Sequence, residues 1–315
     1  MTQTDSDTGQ AAIQSIPGSC EWVSYDSINH GDSSDQKFRI RDADGESYML
    51  RIADKTEYEQ RKTEYSVMDY LYRQHAAVPR PVQYGVSENG QSTYILRNWI
   101  AGDTCHDHLQ RTDPVRQYAL GHELAVSIAA LHACDGQRSA DEWSDQMNQR
   151  IRLAVNQLSS RDIQLVCIQK LIGYLRSNRK LVDDRPQTLI HGDINLSNII
   201  LSQGGSPYLI DFEKSQVGDP LYDFASVIVD ISPVSCWFAT GLLDCYFSYQ
   251  VRTKIHQLIA YYTALRSLCR FSAACNQSRN KRQTALRQVQ QVVKYYRDMT
   301  LVIPEWYEEL PEMQI

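Results

Sequence analysis

No apolar run in the 315-residue chain approaches the roughly 18 residues of a membrane-crossing helix. The nearest, Phe224 to Ile231, is interrupted by Asp230. The first twenty residues contain no Lys or Arg and no apolar stretch, which argues against a signal or transit peptide and for a cytoplasmic protein with no membrane partner. Eight cysteines are present, yet no two form a C-x-x-C pair, so neither a zinc knuckle nor a disulfide framework is expected. Positive charge is in deficit: 32 Lys and Arg against 38 Asp and Glu give a net charge of −6. Such a chain has no global field to collect the phosphates of a nucleic acid or to hold an anionic membrane. There is no G-x-x-x-x-G-K-[ST] and no G-x-S-x-G, which removes P-loop NTPases and α/β-hydrolases. Nor does any internal repeat mark a solenoid. No obligate protein partner is evident.

What is present, 42% hydrophobic and 22% charged residues, suits a globular chain of one large or two medium domains. Residues 1–20 are polar and short of large side chains, and read as a flexible tail. Residues 21–100 are strand-rich. The runs Lys37 to Arg41 and Tyr48 to Ile52 flank Asp42-Ala43-Asp44-Gly45, a hairpin signal, and two further strands are predicted at Val82 to Val86 and Thr93 to Leu96. Between them Glu57 to Gln74 reads as a helix in which Glu64, Met68 and Leu71 share a face, so a carboxylate lies on the apolar stripe.

Residues 101–315 are mostly helical by period, for instance Leu120, Leu124, Ile128 and Leu131. Helices are predicted over Leu221 to Ile231, Lys254 to Cys275 and Gln283 to Val302. A strand-like island interrupts them at Thr188 to Ile190, Asn198 to Leu201 and Tyr208 to Phe212. The island carries His191-Gly192-Asp193-Ile194-Asn195-Leu196-Ser197-Asn198, then Asp211-Phe212-Glu213, then Gly218-Asp219-Pro220-Leu221-Tyr222-Asp223. A loop between short buried strands with an Asp, an Asn five residues on and an Asp ending the neighbouring strand offers oxygen ligands to a hard divalent cation. Mg²⁺ needs few of them, since it keeps positions for water and substrate phosphates.

The pattern H-x-D-x-x-x-x-N followed by D-F-E resembles the phosphotransferase family of aminoglycoside kinases and choline kinase, relatives of the protein kinases. The resemblance implies an α+β, bilobal, protein-kinase-like fold: a small antiparallel-sheet N-lobe with one helix, and a larger, mainly helical C-lobe. It implies Asp193 as the residue that accepts or orients the proton of the attacking hydroxyl, and Asn198 and Asp211 as Mg²⁺ ligands. His191 and Asp223 would brace the loop. ATP, or GTP, would be held by the turn His30 to Asp35 with Ser33 and Ser34 over the phosphates, by Arg51 paired with Glu64, and by the hinge Asn98, Trp99 and Ile100 at the adenine. Arg51 stands where the family usually has Lys, and its fork geometry differs from that of an ammonium.

The implied activity is Mg²⁺-dependent transfer of the γ-phosphate to a hydroxyl of a small molecule, an aminoglycoside-type antibiotic first. A metabolic acceptor (choline, a sugar or an amino-alcohol) is the alternative, and a nucleotide-binding pseudokinase a third reading. Residues 304–315 carry four glutamates with Trp306 and Tyr307 and no Lys or Arg, surroundings that favour a cationic acceptor. His106-Asp107-His108 and the basic set Arg266, Arg270, Arg279, Lys281, Arg282 and Arg287 read as solvated.

Overall fold

The computed structural model describes residues 10–28, 35–135, 140–250 and 252–309. The chain divides into two compact units, the first running through Gly102 and including Ser202–Glu213, the second comprising Asp103–Leu201 and Lys214 onward. The segment Ser202–Glu213, expected in the C-terminal region, therefore belongs to the first unit.

The first unit is built on an antiparallel five-stranded sheet in the order β1-β2-β3-β5-β4, with β1 Trp22–Ser27, β2 Gln36–Asp42, β3 Ser47–Asp54, β4 Pro81–Val86 and β5 Ser92–Asn98. Helix α1, Tyr58–Arg73, joins β3 to β4. Turn chemistry sets the β2–β3 register. Asp42 Oδ1 accepts from the amides of Asp44 and Glu46, and Gly45 takes φ +86°, the left-handed region where a side chain is disfavoured. With that register Phe38, Leu50 and Leu96 lie side by side. Alternation along each strand then gathers Phe38, Ile40, Leu50, Ile52, Tyr94 and Leu96 into one buried cluster.

Ile13 and Ile16 complete this cluster. The expectation of a flexible tail through residue 20 fails for residues 10–20: residues 10–14 are helical and the Glu88 amide bonds Ser15 O at 2.7 Å. Two isoleucines at i and i+3 give this polar stretch one apolar face. Burying an Ile of this kind is worth about 1.5–3 kcal/mol, enough to hold the segment on the sheet.

In the second unit α2, Pro114–His132, begins with Asp113, whose side chain accepts from the Arg116 amide. It packs on α5, Cys236–Tyr246, so closely that a Cβ on Gly121 would lie 2.0 Å from Phe238 O, and one on Gly241 2.1 Å from Tyr118 O. Between these come α3, Ala140–Gln157, and α4, Val166–Ser177, and after them α6, Thr253–Cys275, and α7, Arg279–Tyr295. The predicted helix at Leu221 to Ile231 is a succession of a 3-10 turn, one α turn and a π-helical turn, Val227–Ile231. The last predicted helix ends at Tyr295 and not at Val302, because Arg297, Asp298 and Met299 turn left-handed. Strands β6, Thr188–Ile190, and β7, Gln216–Gly218, pair antiparallel beside the catalytic-type loop. No helix among the described residues is long and apolar enough to cross a membrane.

Candidate active site

In the first unit the site grows from the second face of the sheet. Arg51 on β3 points away from the Leu50 and Ile52 cluster toward α1. There its Nη1 donates to Glu64 Oε1 at 3.0 Å, with the two side chains 3% and 1% exposed. The carboxylate on the apolar stripe of α1 thus has its charge partner.

Arg51 also donates to Asp35 Oδ2 (Nη2, 2.7 Å; Nε, 3.0 Å), to Asp211 Oδ1 at 3.1 Å and to Glu213 Oε2 at 2.7 Å. Burial opposes charge on this guanidinium, but Glu64, Asp211 and Asp35 outweigh it and push its pKa above the ordinary value. Fully buried Arg61, one turn before Glu64, bonds Glu64 at 2.9 Å, Glu57 at 2.5 Å and Asp35 at 2.9 Å. Two cations therefore serve five carboxylates. Asp35 was read only as the end of the phosphate-covering turn, and Arg61 went unread in the sequence; the signal available for Arg61 was its place three residues before Glu64.

Asp211 follows the short strand Pro207–Leu209 and has φ +67°. Asp tolerates the left-handed region better than most residues, and such backbone gathers at functional positions. Its carboxylate is partly exposed. Of the expected nucleotide contacts, Ser33 and Ser34 lie outside the described residues. At the expected hinge the Asn98 amide bonds Arg80 O and the Trp99 amide bonds Ser47 O, both at 2.9 Å. These two donors are committed, so an adenine would meet carbonyls at Asn98 and Trp99 or the main chain at Ile100. The Trp99 ring instead carries the Arg39 guanidinium, 4.9 Å from its centroid.

In the second unit the loop after β6 is organised by one buried carboxylate. Asp223 Oδ2 accepts the His191 amide at 2.8 Å and Oδ1 the Gly192 amide at 2.7 Å. Complete burial would raise the pKa of Asp223, but His132 and the loop hold it below the usual range. His132, at the end of α2, lies 3.1 Å from Asp223 Oδ2 and is itself fixed by Tyr246. A single His at a helix end gave no sequence signal for this role. His191 is fully buried, and its Nδ1 accepts the Asp193 amide at 3.3 Å. Gly192 has φ +78°, and a Cβ there would lie 2.7 Å from Lys214 O. Only glycine fits between His191 and Asp193.

Asp193 is thereby presented with its side chain 17% exposed. Asn198 Nδ2 donates to Asp193 O at 3.0 Å, which orients the amide and leaves Oδ1 as its ligand atom. Lys214 Nζ reaches Asp193 Oδ2 at 2.7 Å, and Arg266 Nη2 reaches Oδ1 at 2.9 Å. Burial would raise the pKa of Asp193, but Lys214 and Arg266 outweigh it and hold the carboxyl down at about 2. The solvated reading of the basic set fails for Arg266, which is nearly buried and ion-paired, and for half-buried Arg270, which pairs with Asp230; Arg282 pairs with Asp162 from an exposed position. Arg279, Lys281 and Arg287 are exposed.

No group of three or more His, Cys, Asp or Glu is arranged for a metal ion among the described residues. Magnesium does not require one: one or two carboxylates plus phosphate and water complete its shell.

Comparison with known proteins identifies the family. A phosphotransferase enzyme family matches over residues 27–254, and the chain belongs to that family. It is 26% identical over 207 residues to the uncharacterized protein MG356 homolog of Mycoplasma pneumoniae, a match covering 65% of this chain and 64% of that protein's length. Among solved structures, a thermostable mutant of aminoglycoside phosphotransferase APH(4)-Ia, in a ternary complex with AMP-PNP and hygromycin B, superposes with a TM-score of 0.66. It is 16% identical, over 89% of this chain and 95% of that one. A choline/ethanolamine kinase family protein from Mesorhizobium loti gives 0.66 at 15% identity, over 94% and 98%. These likenesses establish the kinase-like fold.

Proposed function

We propose that the protein transfers the γ-phosphoryl group of ATP, or GTP, to a hydroxyl of a small molecule. The observation that carries this reading is the built loop around Asp193. Its backbone is tied down by Asp223, its glycine cannot be replaced, and its carboxylate is kept ionised to low pH.

A carboxylate so acidic is a weak base. Its work is to accept a hydrogen bond from the acceptor O–H, aim the oxygen at phosphorus and take the proton as the new P–O bond forms and the bond to the nucleoside diphosphate breaks. Asn198 and Asp211 would hold Mg²⁺, which neutralises charge on the β- and γ-phosphates. Arg51, kept in place by Glu64, would serve the phosphates, and main-chain groups of Asn98, Trp99 and Ile100 the adenine. Ser33 and Ser34 remain the residues proposed for covering the phosphates. Intact Asp193, Asn198 and Asp211 speak against a pseudokinase.

For the acceptor, an aminoglycoside-type antibiotic comes first, supported by the likeness to APH(4)-Ia. A metabolic alcohol such as choline, a sugar or an amino-alcohol is the second reading, and the acidic C-terminal stretch supports no cationic acceptor over another. The aromatic pair expected to receive an ammonium group is engaged inside the unit: Trp306 is buried beside Tyr295, Tyr307 donates to Asp244 at 2.6 Å, and Glu305 pairs with Arg297. ADP release with Mg-ATP and a panel of aminoglycosides, choline, ethanolamine and sugars tests both. Turnover on an aminoglycoside supports the first; turnover confined to the metabolic alcohols removes it. Asp193→Ala should cut turnover by about 10²–10⁴-fold with ATP binding retained, and loss of folding instead would make Asp193 structural.

A further inference from the structure

The carboxylate of Asp193 is gripped from a helix that carries none of the motif. Arg266, in the middle of α6, donates Nη2 to Asp193 Oδ1 at 2.9 Å, and the same guanidinium bonds Asp230 Oδ2 through Nε at 3.2 Å and Nη2 at 3.0 Å. Arg270, one turn along the same face, holds the other oxygen of Asp230. Asp230 lies in the π-helical turn Val227–Ile231, closed by the Ser232 amide on Val227 O at 2.9 Å. A π turn is uncommon and collects at functional sites; here it sits directly behind the arginine that touches Asp193.

The two cations on Asp193 differ in kind. The Arg266 side chain is 10% exposed and its guanidinium is held by Asp230 as well as Asp193, whereas that of Lys214 is 66% exposed and hangs on a flexible stem. Oδ1 is therefore clamped, while Oδ2 has a partner that can move aside.

We propose that Arg266 is a positioning residue for phosphotransfer: anchored by Asp230, it fixes Oδ1 of Asp193 so that Oδ2 is the oxygen presented to the acceptor hydroxyl. This rests on the role of Asp193 proposed above. It makes α6, and not only the catalytic-type loop, part of the machinery.

The test measures ADP release with Mg-ATP and water as acceptor for the wild type, Asp193→Asn, Arg266→Gln, Arg266→Lys and the double variant D193N/R266Q, with thermal melting of each. Arg266→Gln should lower kcat about 10- to 100-fold, the cost of a small misplacement, with the KM for ATP unchanged. Arg266→Lys should recover much of it, and R266Q should slow D193N no further. A wild-type kcat in R266Q, or a loss that simply multiplies that of D193N, overturns the proposal. If R266Q does not fold, Asp230→Asn, which removes the anchor's charge and leaves the Arg266–Asp193 pair, must show the same split between kcat and KM; an unchanged kcat overturns it. Slow D193N with normal R266Q removes Arg266 alone, whereas normal turnover in D193N removes the reading of Asp193 and the proposal with it.

Discussion

The two charged clusters of this protein are built with opposite balances. Around Arg51 and Arg61 stand Asp35, Glu57, Glu64, Asp211 and Glu213, so carboxylates outnumber cations. Around Asp193 and Asp230 stand Lys214, Arg266 and Arg270, so cations outnumber carboxylates. A buried ion pair stabilises little by itself, because desolvation offsets most of the attraction. The surplus sign is therefore informative. In the first cluster surplus negative charge is what the proposed Mg-nucleotide site would require. In the second, surplus positive charge keeps one carboxylate ionised and in one orientation with no metal of its own. A net charge of −6 hides both.

The sharpest way to break this contrast is to remove the cation of the first cluster. Arg51→Met would remove the one guanidinium that bonds Asp35, Glu64, Asp211 and Glu213 together. Removing one member of a buried charged set costs about 3–5 kcal/mol, read as a fall in the urea midpoint. A loss below about 1 kcal/mol, the range of a surface pair, would mean the cluster is solvated and its imbalance has no energetic meaning. Arg51→Lys is the milder version. The charge stays but the fork that reaches four carboxylates is lost, so about 1–2 kcal/mol of hydrogen-bond energy goes, and the KM for ATP should rise about tenfold. An unaltered KM would show that charge alone, and not the geometry of the arginine, serves the nucleotide.

How much of this could be read from the sequence depends on distance along the chain. The loop was legible because His191, Asp193 and Asn198 fall within eight residues, and Glu64 because a carboxylate on an apolar stripe demands a partner. The hairpin at Asp42 to Gly45 was legible from turn chemistry. Arg266 and Asp230 were not: 73 and 37 residues separate them from Asp193, and only the packing of α6 brings them there. As a member of a run of basic residues Arg266 read as solvated, and Asp230 only as a break in an apolar run, since composition cannot tell which face of a helix is covered. The opposite error occurred at the N-terminus, where polar composition outweighed Ile13 and Ile16. At the hinge, β5 runs on through Asn98 and commits amides that strand length alone did not reveal.

Acid stability tests the second cluster without touching turnover. The carboxyl of Asp193 is held at about 2 against an ordinary 3.8. A group whose folded pKa is depressed contributes stability that is complete above its unfolded pKa and disappears as pH falls through the folded value. The window is thus pH 4 down to 2, and the contribution about 2 kcal/mol at neutral pH. Asp223, depressed in the same direction, adds to it. Urea unfolding between pH 6 and 2.5, without divalent cations, should show stability falling through this window in the wild type and falling less steeply in Asp193→Asn. Arg266→Lys, which keeps the charge beside Asp193, should follow the wild type. Parallel slopes for wild type and Asp193→Asn would mean that Lys214 and Arg266 do not hold the carboxylate, and the surplus of positive charge would then have to be explained by something other than Asp193.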